Sequence, residues 1–183
     1  MADPDSMDYL STLSAPELLA VSGRAEQMLR DRGVLRTRNR PAGDYAEYLI
    51  WKEFGGNLAP NSQRDWDVKT DDGERIQVKG CALPVGSPPS SADFSAMRGF
   101  DFDLLILVVF REPNYLVEEA WRAPIGIVRQ AAKHSDYLNA SHVRLTKQFR
   151  AIEGVESIAE QLRATAERLV RDGPTGDAAV PRG

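Results

Sequence analysis

The seven residues from Leu104 to Phe110, "LLILVVF", constrain this chain more than any other stretch. No polar side chain interrupts them, so a strand built here is apolar on both faces, because successive side chains point to opposite sides. Such a strand belongs inside a sheet that is covered on each face. The run is far short of the roughly 20 apolar residues that a membrane-spanning helix needs, and no membrane anchor is expected. With 183 residues, 42% of them hydrophobic and 27% charged, the chain has the material for one domain with a real core.

The one cysteine, Cys81, excludes an intrachain disulfide framework, and the start "MADPDSMDYLSTLS" carries neither a basic nor an apolar signal segment. The cytoplasm is the expected compartment. A net charge of −4 gives no global sign of nucleic-acid binding, but "RDRGVLRTRNR" (30–40) sets five arginines against one acid. That stretch reads either as a phosphate-facing patch or as a solvated helix end and loop.

A leader over 1–13 precedes the helix "SAPELLAVSGRAEQMLRDRG", with Ser14 as cap, Pro16 in the first turn, Leu18, Leu19, Met28 and Leu29 as an apolar stripe, and Gly33 at its end. The arginine-rich connector leads to a second helix, "AGDYAEYLIWKEFGG", whose apolar residues nearly encircle it, which predicts burial on more than one side. Three short extended segments, "NLAP", "DWDVK" and "RIQVKGCAL", then predict an antiparallel meander. The segment "ADFSAMRG" predicts a short helix crossing to the buried strand. Beyond it come a strand in "NYLVEEAWRA", a helix opened by Pro124, an edge strand in "HVRLT" and a final amphipathic helix in "GVESIAEQLRATAERLVRD". The tail 173–183 reads as disordered, and 14–172 as a single domain.

The stretch "DVKTDDGERIQVKG" (67–80) is a hairpin, and its second strand places Gln77 and Lys79 on one face with Ile76 and Val78 on the other. Its turn admits two readings. A two-residue Asp72-Gly73 turn pairs Asp67 with Val78 and sends its carboxylate away from Gln77 and Lys79. A three-residue loop, with Gly73 left-handed, pairs Asp67 with Gln77 and assembles a polar cluster. Asp-Gly is compatible with both. Should the cluster form beneath the helix bearing Glu47, two carboxylates and an amide oxygen make a hard-oxygen ligand set suited to Mg²⁺ or Mn²⁺. Lys79 would then orient a water or offset developing charge, which is the chemistry of phosphodiester hydrolysis.

In this order the residues resemble a known family. Glu47 in "AEYL", Asp67 in "DWDV", then Gln77 and Lys79 in "IQVKG", followed by a helix and a buried strand, are similar to the αβββαβ pattern of the PD-(D/E)xK nucleases, over about residues 43–110. The resemblance implies an α/β fold of restriction-endonuclease-like type, a mixed sheet flanked by helices, with added N- and C-terminal helices. It implies a metal-dependent endonuclease that hydrolyses DNA, while the sequence itself leaves DNA against RNA open. Carried over residue by residue, Asp67 looks like the principal metal ligand, Gln77 stands at the second acidic ligand, Lys79 looks like the catalytic lysine, and Glu47 like the helix glutamate that some members add. Trp66 stands where a proline is usual, and Gln77 where an acid is usual. An amide oxygen binds Mg²⁺ without bringing charge, so Glu47 must supply the second negative charge. The phrases "RTRNRPAGDYAEYL" and "LAPNSQRDWDV" are also similar to stretches of small bacterial proteins.

Taken singly, Asp67, Lys79, Glu47 and Gln77 each read as ordinary strand or helix surface residues, and only their order and flanking elements suggest a site. Arg36, Arg38 and Arg40, just ahead of the Glu47 helix, are candidates to guide a nucleic-acid backbone, and Arg98 is a candidate phosphate contact or helix cap. His134 and His142 are too isolated for a zinc site. Two other readings stand beside the nuclease. One is a catalytically inactive module of the same fold that binds nucleic acid or a protein. The other is an interaction protein whose working surface is the C-terminal helix. Cutting both strands of a duplex would call for a homodimer.

Overall fold

A computed structural model of the chain describes residues 9–37, 41–60, 65–137 and 139–172, the side chains of 15–20 aside. Helix α1 (Ala15–Asp31) and helix α2 (Pro41–Phe54) precede strands β1 (Asn57–Leu58), β2 (Val68–Lys69) and β3 (Arg75–Leu83). After a 3₁₀ turn at Pro89–Ser91 come β4 (Leu104–Arg111), β5 (Leu116–Pro124), helix α3 (Ile125–Ala131), β6 (Lys133–Ser135), β7 (Ala140–His142), helix α4 (Lys147–Arg150), β8 (Glu156–Ser157) and helix α5 (Ala159–Asp172).

Among the described residues the main sheet has the order β1-β2-β3-β4-β5-β8, and β6 and β7 form a separate two-stranded ribbon. Strands β3 and β4 run parallel and every other pair is antiparallel, so the fold is α/β with a mixed six-stranded sheet. The uninterrupted apolar run is the middle of this sheet. Ile106, Val108 and Phe110 pack on one face against Ala46, Leu49 and Ile50 of α2 and Leu162 of α5. Leu105, Leu107 and Val109 pack on the other face with Phe94, Phe102, Val128, Leu145 and Phe149. All six of these strand residues are buried, and each side chain so removed from water contributes about 1.5–3 kcal/mol before chain entropy is subtracted.

Helices α2 and α5 form one layer, tied together by Glu53. Its carboxylate accepts from Gln161 Nε2 at 2.6 Å and from the Thr165 hydroxyl, with Arg168 close by. The expected burial of α2 on more than one side is therefore met by the sheet and by α5. No helix among the described residues is long and apolar enough to cross a membrane.

Four expectations are corrected. The helix read in 92–99 does not form. Ala92 and Phe94 are buried while Asp93 and Ser95 are exposed, the period-two pattern of an extended segment, and Met97 exchanges backbone hydrogen bonds with Ser141 at 2.8 Å. The crossover from β3 to the parallel β4 thus contains only the short 3₁₀ turn. Strand β7 ends at His142 and pairs with β6, rather than running through "HVRLT" as a sheet edge. Glu156 and Ser157, read as the beginning of the last helix, instead add a short strand beside β5, so α5 starts at Ala159. Met28 on α1 is half exposed and does not belong to a buried stripe. Of the leader, residues 9–11 are helical; the tail 173–183 lies outside the described residues.

Candidate active site

The β2–β3 hairpin takes the three-residue loop. Val68 lies opposite Ile76 and Lys69 opposite Arg75, Thr70 N–H donates to the Glu74 carbonyl at 2.9 Å, and Asp71, Asp72 and Gly73 form the tip. Gly73 has φ +95°, in the left-handed region that a residue without Cβ enters at no steric cost. On the other side of Val68, the Asp67 N–H donates to the Ile76 carbonyl at 2.8 Å, so two consecutive residues address Ile76, as at a β-bulge. The chain bends there, and the Asp67 carboxylate reaches across to β3. Its Oδ2 accepts from the Val78 backbone N–H at 2.7 Å and from the Gln77 side-chain amide.

Glu47 enters from α2, whose first turns lie directly on β3. Gly80 makes that approach feasible: a Cβ at this position would stand 2.1 Å from the Ala42 carbonyl oxygen and 2.9 Å from the Ala46 Cβ. Glu47 and Asp67 line one cleft with Arg36, Thr37, Asp44, Ala59 and Pro60. Its volume is about 110 Å³, enough for several waters or a hydrated ion.

Charge dominates the cleft. Burial raises the Glu47 carboxyl from its ordinary 4.5 to about 8, with further upward pushes from Asp67 and Asp44 against the downward pull of Arg36 and Lys79. Burial also raises Asp67, opposed first by the Lys79 ammonium and then by the hydrogen bonds from Val78 and Gln77 and by Arg36. Lys79, half-buried, therefore acts on both carboxylates. Arg36 crosses the cleft from the connector: its Nη1 lies 3.4 Å from Glu47 Oε2, and its Nη2 donates to the Ala59 carbonyl.

Asp67 accepts from Gln77 and shares the cleft with Glu47, and Lys79 acts on both carboxylates. Helix α2, however, covers the Ile76, Val78 and Gly80 face of β3 rather than the face of Gln77 and Lys79 as expected. Arg36, expected as an outer guide for a backbone, is part of the cleft itself. Arg98 stands apart on an exposed bend, with no helix beside it to cap. Arg38 and Arg40 lie outside the described residues. Sequence reasoning missed the work of Asp44, in the first turn of α2. Its buried carboxylate accepts from the backbone N–H of Arg36 at 2.7 Å and of Thr37 at 2.6 Å, and from the Thr37 hydroxyl at 3.3 Å, pinning the connector to α2. An acid in the first turn of the helix that follows the connector is the one signal that could have found it.

Among the described residues no three of His, Cys, Asp and Glu converge as a metal-binding group. The available oxygen donors are the carboxylates of Asp67 and Glu47 and the amide of Gln77. Both hydrogen bonds to Asp67 fall on Oδ2, leaving Oδ1 for another partner among these residues. Two carboxylates held close under burial and mutual repulsion are a donor set that a hard divalent cation stabilises, and they fit Mg²⁺ or Mn²⁺ on that ground. Gln77 directs its NH₂ toward Asp67; presenting Oε1 instead takes a half-turn of the amide. Comparison with protein-family models and with curated proteins finds no match to this chain.

Proposed function

We propose that the protein is a Mg²⁺- or Mn²⁺-dependent phosphodiesterase that cleaves DNA, built on a restriction-endonuclease-like core in which α2, the β1–β3 meander and the parallel β4 are the common elements. One observation carries the reading: Asp67, bent out of its strand, lines a cleft with Glu47 while accepting a hydrogen bond from Gln77 and lying in the field of the Lys79 ammonium. Asp67 and Glu47 would hold the cation, with the Gln77 amide oxygen as a neutral third donor. Such a cation supplies electrostatic stabilisation of a phosphate and a more acidic bound water. Lys79 orients the attacking water and offsets charge developing on the phosphate oxygens. The protein works as a cytoplasmic enzyme, and a dimer would bring two such clefts to a duplex.

A specific observation favours a second reading. The Gln77 NH₂ is committed to Asp67 and Glu47 already has Arg36 as counterion, so the cleft's charges are largely balanced from within. That is the arrangement of an inactive module that binds nucleic acid or a protein partner. Cleavage of supercoiled, linear and single-stranded DNA in Mg²⁺ and in Mn²⁺ separates the two, using wild type, Asp67→Ala and Lys79→Ala. Metal-dependent cutting lost in both variants supports the enzyme. An inert wild type whose DNA binding matches that of both variants supports the module.

A further inference from the structure

The cleft contains a cation of its own, and its position is built rather than incidental. Asp44 is buried and fastens the backbone of Arg36 and Thr37 with two hydrogen bonds of 2.7 and 2.6 Å. From that anchor the Arg36 side chain, 18% exposed, extends between Glu47 and the Ala59 carbonyl on opposite walls. A long side chain loses much rotamer freedom when held this way, so the pinned backbone does part of the ordering in advance. Glu47 is the carboxylate that Arg36 holds and also one of the two that a divalent cation would need.

We infer that Arg36 is an internal counterion that competes with a divalent cation for Glu47 and, once displaced, becomes the cleft's ligand for a phosphodiester oxygen. Asp44 is the positioning residue that keeps it on station. This rests on the proposed cation site, and the reasoning is electrostatic. Guanidinium and metal cannot both be first neighbours of one carboxylate without mutual repulsion, whereas a phosphate brings an anion that a planar fork of N–H donors matches well. The planar fork of donors selects an anionic oxygen, so the ligand class is a backbone phosphate.

Mn²⁺ binding by the unmodified chain, read from the electron paramagnetic resonance signal of free Mn²⁺, tests the competition without any turnover. Wild type, Arg36→Gln, Arg36→Lys and Asp67→Asn are compared, each checked for folding by circular dichroism. Arg36→Gln is expected to bind Mn²⁺ about threefold to tenfold more tightly, the size of one part-buried ion pair released, while Arg36→Lys stays close to wild type. In the second arm, DNA binding is followed against salt in Ca²⁺. Arg36→Gln is expected to lower the salt slope by about one, as for a single lost phosphate contact, and Arg36→Lys to retain it. Unchanged Mn²⁺ affinity in Arg36→Gln, alongside weakened binding in Asp67→Asn, overturns the role of Arg36 and leaves the cation site standing. No difference between wild type and Asp67→Asn overturns both. An unchanged salt slope overturns the phosphate contact.

Discussion

Replacing Glu47 by Gln should make the protein more stable, by an amount that grows as pH rises from about 4.5 to about 8. The Glu47 carboxyl is raised from 4.5 to about 8, chiefly by burial. The folded state therefore holds a proton that the unfolded chain releases, and stability contributed below pH 4.5 is lost as pH rises toward and through 8. At about 1.4 kcal/mol per pH unit, that span sets a ceiling of about 5 kcal/mol. The carboxylate is 21% exposed and faces both Arg36 and Lys79, so solvent and counterions reduce the realised effect to about 1–2 kcal/mol. Glutamine is nearly isosteric, carries no charge, and its Oε1 still accepts from Arg36. Urea denaturation in EDTA at pH 5, 7 and 9 is the assay, read as the difference between variant and wild type. Near-equality at pH 5 with the variant ahead by about 1–2 kcal/mol at pH 9 is the expected result. A difference that is flat with pH, or a variant that is weaker at pH 9, would refute the view that Glu47 is held above its ordinary range by its surroundings.

Two further changes probe the frame around that carboxylate. Gln77→Glu puts a second carboxylate beside Asp67 at a position only 3% exposed and removes an amide donor, so it should cost about 2–4 kcal/mol of stability in EDTA and recover more than wild type does when Mg²⁺ is added; equal recovery would count against a cation near Gln77. Gly80→Ala should lower stability by about 1–3 kcal/mol, because the new methyl meets the backbone carbonyl of Ala42, and a neutral result in thermal unfolding would show that α2 is free to shift.

The parts of this fold that could be read from the sequence are those in which one pattern admits one geometry. The run at 104–110 could only be a doubly covered strand, and "RIQVKGCAL" matches β3 residue for residue because its apolar alternation is sharp. The segment "ADFSAMRG" was misread because short apolar spacings suit a helix and an extended chain alike, and the contact of Met97 with Ser141, 44 residues on, decides between them. Asp-Gly at the hairpin tip left the register open. The Thr70–Glu74 hydrogen bond and the left-handed Gly73 resolve it, and neither is a property of the dipeptide. The inward course of Arg36 was hidden for a similar reason, since it depends on a carboxylate eight residues later receiving its backbone N–H.

The candidate site depends on two backbone adjustments more than on its charged residues. Asp67 leaves its strand because it shares Ile76 with Val68, and Glu47 comes near it because Gly80 lets α2 settle onto β3 at Ala42 and Ala46, the residue immediately before Glu47. A straight β2 would leave the Asp67 carboxylate along the strand, and a side chain at 80 would lift Glu47 away. Each displacement by itself would relieve the repulsion that Asp67 exerts on Glu47. The protein instead keeps both acids close under burial and sets Lys79 and Arg36 against them, an arrangement that lowers stability at neutral pH and holds a strong local field. A purely structural cluster would gain stability by exchanging either acid for an apolar residue. On the proposed function, keeping the uncomfortable pair is what a cleft for an external cation and a phosphate would require.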